Sequence, residues 1–184
     1  MKKILVAMAL LAASSATFAE GVYLGGSVGY THTDVDCTGT TNCSSNSTGL
    51  KGFIGYKIND MFAFEASYFD LGKFGGTVGS ARVDFKSSGY GVRGLFSVPF
   101  TKDFSGFVGL GINQVKSKAS VTLGSLSGSL DETSTQPSFA VGVDYALTPA
   151  LKLRGEIENT RFDAPVNAGS YNVNNFSVGL KYSF

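Results

Sequence analysis

The chain has 184 residues, with 24 Gly, 15 Phe and 8 Tyr, only 4 Pro and no Trp, 16% charged residues and a formal net charge of +1. That length suits one domain. The balanced charge argues against a nucleic-acid partner, which needs a basic patch. The aromatic content argues against disorder, which needs high polarity and few aromatics.

The chain opens on Met1-Lys2-Lys3, continues through an apolar run from Ile4 to Ala13 and reaches Thr17-Phe18-Ala19-Glu20. A positive start, a short apolar middle and a small-residue end are the three parts of a secretory signal peptide. The expected organisation is a signal peptide over 1–19, cleaved after Ala19, and one domain over 20–184. The apolar run is too short for a spanning helix, which needs about 20 apolar residues.

After Ala19 the hydrophobic period is 2 rather than 3.6. Eight alternating segments follow: Val22–Thr31, Leu50–Ile58, Phe62–Phe69, Gly89–Phe96, Phe104–Asn113, Ser138–Leu147, Leu151–Thr160 and Asn175–Phe184. Each is close to the 9–11 residues, roughly, that a tilted strand needs to cross a bilayer.

The charges fall on one parity. In the second segment Leu50, Ile54, Tyr56 and Ile58 oppose Lys51 and Lys57, and in the third Phe62, Phe64, Ala66 and Tyr68 oppose Glu65. The fourth sets Tyr90, Val92 and Phe96 against Arg93, and the sixth sets Phe139, Val141, Val143 and Tyr145 against Asp144. In the seventh, Leu151, Leu153 and Ile157 oppose Lys152, Arg154, Glu156 and Glu158; in the eighth, Phe176, Val178, Leu180, Tyr182 and Phe184 oppose Lys181. Lipid imposes this pattern, because a Lys or Arg facing the middle of the bilayer costs about 2–4 kcal/mol. A soluble sandwich also alternates, but its apolar face packs on a second sheet. Here the other face is Gly, Ser, Asn and charge, with a few aromatics such as Phe53 and Phe107, which suits a narrow polar lumen. The expected fold is all-β: an eight-stranded antiparallel up-and-down transmembrane β-barrel, closed because lipid tolerates no unpaired backbone.

Asn59-Asp60, Val98–Asp103 and Thr148-Pro149 read as short turns. The stretches 32–49, 70–88, 114–137 and 161–174 are rich in Gly, Ser, Thr and Asn and read as long loops. Short periplasmic turns and long external loops are the barrel signature, so both termini are expected in the periplasm.

The hairpin Gly52-Phe53-Ile54-Gly55-Tyr56-Lys57-Ile58-Asn59-Asp60, running into Phe62–Gly72, resembles the outer membrane protein A transmembrane domain family in a small stand-alone form. So does the ending Phe176-Ser177-Val178-Gly179-Leu180-Lys181-Tyr182-Ser183-Phe184, whose alternate residues Phe176, Val178, Leu180, Tyr182 and Phe184 resemble the signal read by the barrel-assembly machinery. The resemblance implies a bacterial outer-membrane location and roles in envelope integrity, adhesion or host contact through the external loops. It implies outer-membrane lipid and lipopolysaccharide as surroundings, and no cofactor. Longer members carry a periplasmic peptidoglycan-binding domain; this sequence ends at the last strand, so wall anchoring is not part of the expectation.

Other motifs have bland readings. Gly25-Gly26-Ser27-Val28-Gly29 fits a hydrolase elbow, but that needs a strand before it and a helix after it. Gly89–Gly94 fits a dinucleotide fingerprint with no helix to follow. His32, the only histidine, is the one candidate general base for a lipid-modifying enzyme at the outer rim, and with Asp34 and Asp36 it is a weak candidate for a divalent ion; a solvated rim histidine is the simpler reading. Cys37 and Cys43, the only cysteines, are expected to pair in the oxidising envelope, with free thiols as the alternative.

Lys51, Glu65, Arg93, Asp144, Arg154, Glu156 and Lys181 are expected to form a lumen charge network. Buried charges persist when paired. A structural plug is the first reading, since an eight-stranded interior is just wide enough for side chains to fill; a gate in a narrow, low-conductance pore is the second.

Overall fold

The computed structural model describes residues 21–33, 41–44, 46–78, 81–123, 126–163 and 170–184. The expected signal peptide, Asp34, Asp36, Cys37 and the side chain of Cys43 lie outside the described residues, and with them the expected disulfide.

Nine strands are described: β1 (Val22–Thr33), β2 (Thr41–Ser44), β3 (Asn46–Lys57), β4 (Phe62–Val78), β5 (Ala81–Pro99), β6 (Phe104–Leu123), β7 (Leu126–Ala146), β8 (Leu151–Asp163) and β9 (Ser170–Ser183). Eight of them close on themselves in the order β4-β3-β1-β9-β8-β7-β6-β5, with β5 returning to β4 and every pairing antiparallel. The first and last strands complete the ring, Tyr23 opposite Ser183 and Thr33 opposite Val173. Closure leaves no edge in the wall, the condition lipid sets.

Paired residues traced around the wall from Lys57 run through Ala63, Leu95, Gly109, Ala140, Glu158, Asn175 and Thr31. The path re-enters β3 at Ser47, ten residues from its start. At about 3.3 Å per residue and about 4.8 Å between strands, that stagger tilts the strands by about 40° from the barrel axis. The stagger decides which side chains meet across the lumen.

The outward face carries the apolar stripe. Leu110, Leu50, Phe64 and Tyr68 are each more than 60% exposed in the isolated chain, and outward residues of all eight wall strands resemble them. So much contiguous apolar surface has no place in water. The three short turns share a device that follows from sequence. A side-chain oxygen just after one strand accepts backbone N–H groups ahead of the next: Asn59 Oδ1 from Met61 and Phe62, Thr101 Oγ1 from Asp103 and Phe104, and Thr148 Oγ1 from Leu151.

At the other end the fold departs from expectation. The stretches 70–88 and 114–137 are not long loops. Strand β4 pairs with β5 as far as Val78 and Ala81, and β6 with β7 as far as Leu123 and Leu126, so two hairpins rise beyond the apolar belt. In the same way β8 runs on to Asp163, β9 begins at Ser170, and β2 adds a short pairing to β4. Ser, Thr and Gly composition predicts loops here, but a strand that has left the lipid needs no apolar outward stripe. The β4–β5 ladder slips between Asp70 and Lys73, where Gly72 adopts φ +81°. A Cβ there would strike the Ser47 side chain and lie 2.6 Å from the Thr48 carbonyl oxygen.

Candidate functional site

The inward face carries two layers of opposite chemistry. At the turn end a vestibule of about 520 Å³ is lined by Tyr23, Lys57, Asp60, Lys152 and others, and its floor is Asp144, Arg154 and Lys181.

The floor begins the charged layer. Arg154 grips Asp144 with two donors, Nε to Oδ1 at 2.8 Å and Nη2 to Oδ2 at 3.2 Å, and Lys181 donates to the same carboxylate. The third Arg154 donor, Nη1, crosses the barrel to Glu65 Oε2 at 2.8 Å. Strands β8 and β4 stand four places apart in the ring of eight, so this pair spans the full diameter. Tyr23 donates its hydroxyl to Glu65 Oε2 at 3.2 Å. Arg93, on the strand beside Glu65, reaches Glu65 Oε1 with Nε at 2.9 Å, and Glu156 with Nη1 at 2.9 Å and Nη2 at 2.6 Å. Gly111 faces the Arg93 backbone; a Cβ there would sit 2.5 Å from that of Arg93. Lys51 completes the layer, with Nζ 2.7 Å from Glu156 and 2.6 Å from Glu158.

Four carboxylates, Glu65, Asp144, Glu156 and Glu158, therefore face four cations, Lys51, Arg93, Arg154 and Lys181. Neutrality and multiple charge-assisted hydrogen bonds offset the desolvation of each ion. The Arg154 guanidinium also lies between Phe53 and Phe107, 5.0 and 4.5 Å from the ring centroids. Those contacts satisfy its faces while the carboxylates satisfy its edge.

Above the charges Asn113 Nδ2 bridges Glu158 Oε1 at 3.0 Å and Thr160 Oγ1 at 3.2 Å. A void of about 20 Å³ follows, room for one water molecule. Then the chemistry changes: Phe69, Leu71, Val115 and Val173 form a buried apolar cluster inside the wall, with Val115 fully covered.

All seven residues singled out for the lumen lie on the inward face and make ion pairs there. Other participants carry no such mark in the sequence. Glu158 has the inward parity and joins the seven. Tyr23 sits in a strand without charges to mark its inner face. Leu71, Val115 and Val173 lie in the stretches 70–88, 114–137 and 161–174, where the composition predicts loop. The terminal residues Phe176, Val178, Leu180 and Tyr182 point outward on β9, and Phe184, just past its end, is exposed as well.

The hydrolase-like string lies wholly within β1, where Ser27 faces inward beside Lys51 and Gly179. His32 is five residues further on, so it projects from the opposite face; its Nδ1 is 2.7 Å from Asn46 Oδ1. Ser27 and His32 therefore do not converge. Gly89–Gly94 lies within β5. No cluster of potential metal ligands occurs among the described residues.

A closed eight-stranded wall, an apolar outer stripe and a filled lumen define a transmembrane β-barrel of the bacterial outer membrane. Comparison with known proteins agrees: the chain belongs to the outer membrane protein beta-barrel domain family, whose profile matches residues 4–184. It is 29% identical to outer membrane protein A of Salmonella typhi over 202 aligned positions, covering all of this chain and 56% of the relative. It is 28% identical to that of Shigella flexneri, again over its whole length. The chain thus spans about half the length of these curated relatives. Among solved structures, Neisserial surface protein A shares the fold at a TM-score of 0.62 and 20% identity, covering 90% of this chain and 99% of that one. Ail, the attachment invasion locus protein of Yersinia pestis, does so at 0.59 and 18%, covering 89% and 99%.

Proposed function

We propose that this protein is a sealed structural barrel: it strengthens the outer membrane, presents its two long hairpins at the cell surface as an interaction platform, and catalyses no reaction. The observation that carries this reading is the Glu65–Arg154 pair across the full diameter, with an apolar cluster stacked beyond it. Water and ions have no continuous path through such a lumen. The opposite faces of Ser27 and His32 speak against hydrolysis, and lipid A and phospholipid assays with His32→Ala test that part.

Planar-bilayer recording of the purified barrel tests the seal. No stepwise conductance is expected. Openings in the unmodified protein would favour a narrow channel, the reading that the open vestibule of about 520 Å³ supports.

The same proposal places the short turns and both termini in the periplasm and the hairpins outside. A cysteine introduced at Ser129 should label in intact cells, and one at Asn59 should not. It further includes export by a signal peptide removed after Ala19, and a disulfide between Cys37 and Cys43 near the outer rim. The partners are lipopolysaccharide around the wall, a host or surface ligand at the hairpins, and the barrel-assembly machinery. That machinery would read Phe176, Val178, Leu180, Tyr182 and Phe184; deletion of Phe184 should lower the yield of assembled barrel.

A further inference from the structure

The outer rim is not uniform. On three neighbouring strands the outward stripe runs from apolar or aromatic, through one polar residue, to a lysine. The series are Tyr68, Asp70, Lys73 on β4; Tyr90, Ser88, Lys86 on β5; and Ile112, Gln114, Lys116 on β6. Lys118 stands one outward position beyond Lys116. At this level on the other strands the described outward side chains are His32, Asn46, Thr48, Asn159, Asn174, Thr133 and Thr135, with Asp131 directly opposite Lys118, so no other lysine or arginine is described there.

The lysines are also set against one another. Lys73 lies directly opposite Lys86, and Lys86 directly opposite Lys118, on one face of the sheet. Like charges at opposed positions destabilise a sheet. Local acids answer only part of this charge. Asp70 lies 3.1 Å from Lys86; Asp131, directly opposite Lys118 in the ladder, lies 3.2 Å from Lys116; both pairs are half-exposed, and Asp84 stands further out. Lys73 and Lys118 are exposed and make no ion pair with an acid among the described residues.

We propose that Lys73, Lys86, Lys116 and Lys118 form a lateral seat for the phosphorylated sugar headgroup of one lipid A molecule in the outer leaflet. Height, direction and charge all fit. The lysines begin two outward positions above Tyr68, Tyr90 and Ile112, where the lipid-facing belt ends. They point sideways along the wall, toward neighbouring lipid rather than the lumen. With adjacent strands about 4.8 Å apart, Lys73, Lys86 and Lys118 spread their ammonium groups over a width that one bisphosphorylated disaccharide fills. Each phosphate offers oxygen acceptors to several donors and removes the like-charge opposition. The seat rests on the proposed orientation, hairpins outward.

The test is titration of the purified, folded barrel in detergent with bisphosphorylated lipid A, read by native mass spectrometry. Retention should fall about tenfold for lipid A stripped of its phosphates, and about tenfold for the variant K73Q/K86Q/K116Q/K118Q. The turn-end variant K57Q/K102Q should bind like the unmodified protein. Equal retention by the quadruple variant would overturn the seat, and so would an equal loss in K57Q/K102Q, which would mean generic charge attraction. Phosphatidylglycerol competing as well as lipid A would overturn the choice of ligand. If the quadruple variant does not fold, K73Q alone should weaken binding several-fold without lowering thermal stability in lipid-free detergent, because it removes the like-charge opposition to Lys86. Binding to purified protein does not depend on orientation, so the labelling of Ser129 and Asn59 separates failure of the seat from failure of the topology.

Discussion

Lys51 and Lys57 are six residues apart on β3, and each holds a carboxylate at 2.7 Å, Glu156 and Asp60 respectively. The geometry is the same and the surroundings are opposite. The Lys51 and Glu156 side chains are 10% and 3% exposed in the lumen, whereas those of Lys57 and Asp60 are 50% and 92% exposed at the turn end. In water such a pair contributes little, because the solvent screens it and each ion is content alone. In the lumen each ion has lost its hydration, so the pair becomes a mutual requirement: removal of either partner strands the other. An ion pair in this barrel is therefore to be judged by what its members would face if separated, and a graded set of substitutions measures that.

The largest loss is expected for Arg154→Ala. It takes one of two cations from both Asp144 and Glu65, leaving Lys181 and Arg93, removes three charge-assisted hydrogen bonds, and empties the space between Phe53 and Phe107. Breaking a buried pair typically costs about 3–5 kcal/mol, and urea unfolding in lipid vesicles should show at least that. Glu65→Ala, which takes one of the carboxylate partners from both Arg93 and Arg154, should fall in the same range. The double variant should lose less than the sum, since the two share one interaction. If Arg154→Ala unfolds at the urea concentration of the unmodified barrel, the lumen solvates ions as water does and the contrast with the turn disappears.

A loss of about 2–4 kcal/mol is expected for Leu71→Ala, from a buried apolar site whose walls relax only in part. Its value lies in separating the two layers. Glu65→Ala alone should leave conductance flat, because Leu71, Val115, Phe69 and Val173 still close the path. Glu65→Ala combined with Leu71→Ala and Val115→Ala should produce openings in a planar bilayer. Openings in Glu65→Ala alone would reduce the barrel to one seal, the charged one.

The two layers were unequally legible in the sequence. Lipid excludes charge from one face, so parity alone put Lys51, Glu65, Arg93, Asp144, Arg154, Glu156 and Lys181 inside. It did not tell which would meet, because Arg154 reaches Glu65 through the ten-residue stagger, a property of closure that no single strand carries. The apolar layer was hidden for another reason. Toward the outer end the outward face no longer needs to be apolar, and no stripe marks the phase of Val115 or Val173. At Leu71 the slip around Gly72 also shifts the ladder. The hairpins to Val78 and Leu123 were missed on the same ground.

An intermediate loss, about 1.5–3 kcal/mol by the worth of hydrogen bonds to charged groups, is expected for Lys51→Met. Glu156 keeps Arg93, and Lys51 makes two hydrogen bonds and no ring contact where Arg154 makes three and lies between two rings, so the effect stays below that of Arg154→Ala. The same substitution at Lys57 should be almost silent, and the difference between the two lysines is the contrast in its most direct form.

The smallest effect is expected at Asp60→Asn. The Lys57 ammonium, hydrogen-bonded to the Asp60 carboxylate and close to it in charge, holds that group below its ordinary value of 3.8. The folded-state value is depressed, so whatever stability the pair contributes is present above about pH 4, where the unfolded carboxylate is also ionised, and is lost as pH falls through the folded value. Both ions are open to solvent, so the contribution is screened and shrinks with added salt. Asp60→Asn should therefore unfold at the same urea concentration as the unmodified protein at pH 7 in physiological salt. A small deficit should emerge only at low ionic strength, and it should close again as the pH is taken down through 3.8 and below. A deficit at pH 7 as large as that of Lys51→Met would show that the turn-end pair is as dependent on its partner as the lumen pair, and that burial does not set their worth.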